Sequence, residues 1–99
     1  MGKRASTKIA ITAYKEFVGQ NLIDARKSLG WSQARFAREL GVSGNQLNQW
    51  EKGLYYPNPW YIKRFCDNHS FTMDWFYRRI RAGVSAERAD DLRQVMEEA

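Results

Sequence analysis

Gly44, Asn45, Asn48 and Gln49 sit within six residues of one another in a stretch almost free of acids. A carboxamide donates and accepts at once, so Asn and Gln side chains can pair with the N6 and N7 edge of adenine in a DNA major groove. A helix face built from small and amide residues also suits entry between two walls of phosphate. Residue types for other chemistries are scarce. The chain has one histidine, His69, and one cysteine, Cys66. It contains no Gly-rich phosphate loop, no HExxH pair and no cysteine quartet. His69 has no base, nucleophile or second ligand beside it and reads as a structural histidine, so neither catalysis nor a metal or other cofactor is expected. Cys66, with Ile62 and Phe65 near it, reads as a small buried hydrophobe.

The amides need a helix to carry them, and local signals supply one. Ser43 with Gln46 three residues on forms a capping box, Leu47 and Trp50 turn inward, and Gly53 ends the run. Before it, Ser32 caps a short helix bearing Ala34, Phe36, Ala37 and Leu40, which Gly41 terminates. The link between the two is therefore very tight. Ala37 lets them approach, and Val42, Leu47 and Trp50 bury the second against the first. Upstream, Phe17, Val18, Leu22, Ala25 and Leu29 mark one face of an amphipathic helix stopped by Gly30. Downstream, Leu54 to Pro57 read as a loop. Asn58-Pro59 opens a fourth helix with Ile62, Phe65 and Cys66 on its apolar face, and Thr72 caps a fifth with Met73, Trp75, Phe76 and Ile80. Ser85 caps a last helix in which Ala89, Leu92, Val95 and Met96 share a side.

These elements divide the chain three ways. Residues 1–15 are a basic arm or the start of the first helix, 16–82 a helical domain, and 83–99 an acidic amphipathic helix. Order is expected to begin between Ile9 and Phe17. Ninety-nine residues fit one domain, and the formal charge is +5. That charge is unevenly placed: in the last helix Arg88 and Arg93 face Glu87, Asp90, Asp91, Glu97 and Glu98, so the body is more basic than the total suggests. A basic body suits a polyanion. No run is apolar enough to span a membrane, no secretory signal is recognisable, and a cytoplasmic location is the expectation.

From Asn21 to Arg78 the chain resembles the phage repressor and Cro-type helix-turn-helix family, also called Xre. The resemblance is carried by Arg26, Leu29-Gly30, Ser32-Gln33, Phe36-Ala37, Gly41-Val42-Ser43, Leu47, Trp50-Glu51-Lys52-Gly53, Pro57 and Phe71-Thr72-Met73-Asp74-Trp75-Phe76. It implies an all-α, compact five-helix lambda-repressor-like domain, here with an additional C-terminal helix. It further implies that Gln33 bonds a phosphate while bracing the reading helix. Ser43, Gly44, Asn45 and Gln49 fall at groove-contact positions, and Lys52 at a backbone-contact position. The chain departs from the family pattern at Gly44, which lacks a reading side chain. It departs again at His69 and Ser70, where an aliphatic and a glycine are usual, and at the bulky Trp60 and Tyr61.

The expected function is that of a sequence-specific transcriptional regulator, a repressor of phage or mobile-element type, binding a pseudo-palindromic operator as a homodimer. Arg35 and Arg38 are candidates for phosphate contact or plain solvation, as are Arg78, Arg79 and Arg81. Lys3, Arg4 and Lys8 belong to an arm that is either disordered or wraps the duplex. Candidate pairing surfaces are the aromatic loop with Tyr55, Tyr56, Trp60 and Tyr61, and the last helix with Leu92, Val95 and Met96, unless that helix folds back on its own domain. The rival reading is a protein-binding adaptor, an antitoxin or antiactivator that works through Trp60, Tyr61 and the acidic tail.

Overall fold

A computed structural model describes residues 2–98, with the side chains of residues 2–6 left out of the description. The chain forms six helices: α1 (Gly2–Leu29), α2 (Gln33–Leu40), α3 (Gly44–Glu51), α4 (Pro59–His69), α5 (Met73–Arg78) and α6 (Ala86–Glu98). No strand occurs among the described residues. The expected caps form. Ser32 Oγ accepts from Arg35 N at 3.1 Å, Ser43 Oγ from Gln46 N at 3.0 Å, and Thr72 Oγ1 from Trp75 N at 3.1 Å. Asn58 Oδ1 accepts from Trp60 N at 2.9 Å, with Pro59 following at the first helical position. Each cap satisfies an amide that the helix itself leaves unpaired, a contribution of about 1 kcal/mol.

The core is the one that the apolar spacing implies. Leu22, Ala25, Phe36, Leu40, Leu47, Trp50, Ile62, Phe65, Trp75 and Phe76 pack into one cluster. Helix α1 is its central post, against which α3, α5 and α6 lie. Helix α5 is locked to that post by polar groups. Trp75 Nε1 donates to Asn21 O at 3.0 Å, and Asn21 Nδ2 donates to Phe76 O at 2.9 Å. Arg79 completes the lock, reaching Asn21 Oδ1 at 2.7 Å and the buried carboxylate of Asp24 at 2.6 Å. Arg79 is therefore a structural cation, which removes it from the exposed basic cluster that its neighbours Arg78 and Arg81 suggest.

Three further features bear on the sequence expectations. First, α1 begins at Gly2, ahead of the Ile9–Phe17 window. Apolar periodicity that points inward marks only the part of a helix that has a core to face, and residues 7–14 of α1 are all exposed. Second, α6 folds back along α1, so Leu92 is fully buried in its own chain and Met96 packs against the core. Leu92 thus leaves the set of surface residues open to a partner, with Val95 and Met96 only half exposed. Third, Ser70 occupies the left-handed position that glycine fills more cheaply, at φ 59°. His69 beside it stacks on Phe65 with ring centres 4.4 Å apart, sets its edge against Trp31, and lies 3.5 Å from Glu39.

Candidate nucleic-acid interface

The turn between α2 and α3 is built around Gly41. Its φ of 84° is one that L side chains rarely adopt, and its N–H and that of Val42 both return to Ala37 O, at 2.9 and 3.0 Å. Arg64 of α4 seals the turn by donating to Leu40 O at 3.0 Å. A Cβ on Gly41 would come within 2.2 Å of that guanidinium. The backbone angle favours glycine here, whereas the guanidinium, at the end of a flexible and exposed side chain, could move aside only by giving up its bond to Leu40 O.

Past this turn, Leu47, Trp50 and Glu51 of α3 are buried. Gly44 and Asn45 are exposed, and Asn48 and Gln49 are half-buried. Ser43 and Lys52, at the two ends of the helix, are exposed, as are Arg35 and Arg38 on α2. The tryptophan points inward and the amides stand at or near the surface. Gly44 has an ordinary φ, and a Cβ added to it would meet nothing within 4 Å, so the fold does not demand a glycine there.

Beneath the face runs a polar chain that composition does not reveal. Arg26 of α1 forks onto Glu51, with Nε to Oε2 at 2.9 Å and a second guanidinium nitrogen to Oε1 at 3.1 Å. Gln33 Nε2 then donates to Glu51 Oε1 at 3.0 Å and, more loosely, to Asn48 Oδ1 at 3.4 Å. Three helices meet in this chain, and Glu51 is 7% exposed. Asn48, expected among the base-reading amides, has its carbonyl turned towards Gln33. The signal that points to this network is Glu51 itself, a lone acid directly after Trp50 and three residues from Asn48, as helical neighbours are.

The charges around α3 follow. Glu39 lies against His69 and Glu51 against Arg26. Arg35, Arg38 and Lys52 have no ion-pair partner among the described residues, although Arg35 lies over the Trp31 ring at 4.5 Å. The first turns of α2 and α3 contain no acid, so their free amides meet no competing anion. Lys8 is exposed on α1, whereas the side chains of Lys3 and Arg4 lie outside the described residues.

The remaining sequence-marked residues lie apart from this face or under it. Tyr55, Tyr56 and Trp60 are exposed and Tyr61 is half-buried. Trp60 meets Tyr61 edge to face at 5.0 Å, with Arg64 over its ring. Tyr56 reaches α1 through its hydroxyl, which donates to Ile11 O at 3.4 Å. Cys66 is buried, and burial pushes its thiol up to about 12, which leaves it protonated and inert at neutral pH.

Two short capped helices at a glycine turn, the second anchored from below and open above, define a helix-turn-helix of the DNA-binding kind. A family model described as Helix-turn-helix matches residues 22–76, more than half of the chain. The protein belongs to that family, the Xre or lambda repressor-like group. No curated protein and no solved structure matches the chain. No helix among the described residues is long and apolar enough to cross a membrane.

Proposed function

We propose that the protein is a sequence-specific transcriptional repressor that pairs as a homodimer on a pseudo-palindromic operator and reads each half-site with α3. The observation that carries this reading is the contrast across α3. Leu47, Trp50 and Glu51 fix the helix from inside, while Gly44, Asn45 and Gln49 are left on or near the open side. On this reading Asn45 and Gln49 make the base contacts, each good bidentate pair giving about 1–3 kcal/mol of discrimination. Ser43, Arg35, Arg38, Lys52 and the amides at the starts of α2 and α3 hold phosphates and set the register. Gln33 and Asn48 keep α3 at a fixed angle to α2.

Selection of bound duplexes from a randomised pool tests the proposal directly. The expected product is a short motif repeated in inverted orientation about one helical turn apart. A pool that shows no enrichment, together with no retardation of random duplex at low salt, rejects DNA reading and favours the protein-binding adaptor.

A further inference from the structure

Asn45, Asn48 and Gln49 stand at or near the open side of α3, and only Asn48 has its two polar ends told apart. Asn45 and Gln49 have no side-chain partner among the described residues, so each can turn either its oxygen or its nitrogen outward. Asn48 cannot. Glu51, paired with Arg26, offers only acceptors, so Gln33 must face it with Nε2, at 3.0 Å. The second hydrogen of that nitrogen is left for Asn48, which must answer with Oδ1, at 3.4 Å. Turning Asn48 over would set one NH2 group against another. The acid at the buried end of the chain thus decides which atom stands at the open end. That atom is Nδ2. It has no partner among the described residues, where every buried side-chain nitrogen has one, so Nδ2 is open to solvent. Its place on the helix suits a reading role. At about 100° per residue, Asn48 falls between Gly44 and Asn45 around α3, inside the arc that ends at Gln49. Its side chain leans back over the turn containing Gly44, where an added Cβ would meet nothing within 4 Å.

We infer that Asn48 reads one base of the half-site as a donor only, and that the base it selects is guanine. Guanine alone presents two acceptors, O6 and N7, on its major-groove edge. Adenine sets the N6 amino group beside N7, and pairing with both needs the amide oxygen that Gln33 holds. Thymine offers the single acceptor O4, and cytosine meets Nδ2 donor to donor through N4. Gln33 and Glu51 are positioning residues in this scheme: they touch no base and act by fixing which way the Asn48 amide faces. The inference rests on the DNA reading proposed above and adds to it a base identity that a freely turning amide would not impose.

Parallel selections from a randomised duplex pool, with the full-length wild type and with Asn48→Asp, test the inference. The aspartate keeps an acceptor towards Gln33 and turns a second acceptor outward, which suits cytosine N4. One half-site position is expected at which the wild type favours G·C at least about fivefold and Asn48→Asp favours the inverted C·G pair, with the other positions unchanged. Gln33→Ala frees the amide to turn and should admit adenine at that same position; it carries the test if the aspartate variant fails to fold. Asn48→Ala removes the brace and the donors together and does not separate the two roles. A change spread over many positions would reduce Asn48 to a brace, and uniform weakening on every duplex would assign its donors to a phosphate; either overturns guanine selection. In the free protein, NMR should find the Asn48 side-chain amide protons exchanging with water faster than those of Gln33, and the reverse order would mean that the amide is turned over. A pool without any enriched motif rejects the DNA reading and guanine selection with it, whereas a motif that Asn48→Asp leaves untouched rejects guanine selection alone.

Discussion

Gln33 Nε2 of α2 donates to Glu51 Oε1 of α3 at 3.0 Å, and the same carboxylate is held from the other side by Arg26 of α1. One buried acid thus joins the three helices that determine where the reading face points. The pair does more than tie two charges together. Arg26 also lies within 3.5 Å of Trp31 O, so it spans the turn between α1 and α2. Displacing α3 along its axis would break these bonds together.

Replacing Glu51 with Ala should therefore destabilise the fold by about 3 kcal/mol, because a largely buried guanidinium is left without its counter-charge. Gln33→Ala removes a neutral donor from the same carboxylate and should cost about 1 kcal/mol. Urea unfolding followed by circular dichroism checks both. Equal losses for the two variants would mean that the ion pair contributes no more than one ordinary hydrogen bond.

Asn45→Ala and Gln49→Ala should relax base preference and leave binding to random duplex nearly unchanged. Lys52→Ala should instead weaken all sequences alike and reduce the slope of log affinity against log salt by about 1. Asn48→Ala is expected to behave differently from Asn45→Ala. Its carbonyl faces Gln33, so its loss should blur preference at several positions at once by loosening α3. Titrations on matched and mismatched duplexes at two salt concentrations separate the three patterns.

The placement of Asn48 shows where sequence reasoning stops. Caps, glycine stops and apolar spacing are local, so Ser32, Ser43, Asn58, Thr72 and the inward Leu47 and Trp50 are legible from the chain alone. Which polar side chains meet across helices is not local. Arg26 and Glu51 are 25 residues apart, Asn21 and Arg79 are 58 apart, and no spacing rule predicts either pairing. The length of α1 is hidden for another reason: residues 7–14 are all exposed, so they leave no stripe that points into the core. Burial of Leu92 depends on the return of α6 to α1, which composition alone leaves undecided.

The two glycines flanking the turn should respond oppositely to alanine. At Gly41 the left-handed backbone and the Arg64 contact both oppose a side chain. Gly41→Ala should cost at least about 1 kcal/mol, more if Arg64 is displaced from Leu40 O. At Gly44 the space is open and the backbone ordinary, so Gly44→Ala should be neutral or stabilise by up to about 1 kcal/mol. Thermal unfolding reads both. If Gly44→Ala leaves stability intact yet alters operator preference, close approach to DNA is the reason for glycine at that position.

Alkaline pH should weaken the fold through the buried Cys66 and the half-buried Tyr77. Burial holds the Cys66 thiol at about 12 against an ordinary 9.0, and the Tyr77 hydroxyl at about 12 against 10.0. Well below pH 9 both groups are protonated whether the chain is folded or not, so neither makes stability depend on pH. Between about pH 9 and pH 12 the unfolded chain releases protons that the folded chain retains, and stability falls as pH rises. Cys66→Ala removes one of the two groups and should make the decline shallower, most visibly between about pH 9 and pH 10, before tyrosine titrates. The same burial predicts that a thiol reagent at about pH 8 modifies Cys66 only as fast as the chain opens, so that the rate climbs with added urea. Rapid modification of the native protein, or a decline with pH that Cys66→Ala leaves unaltered, would show that the thiol is open to water in solution.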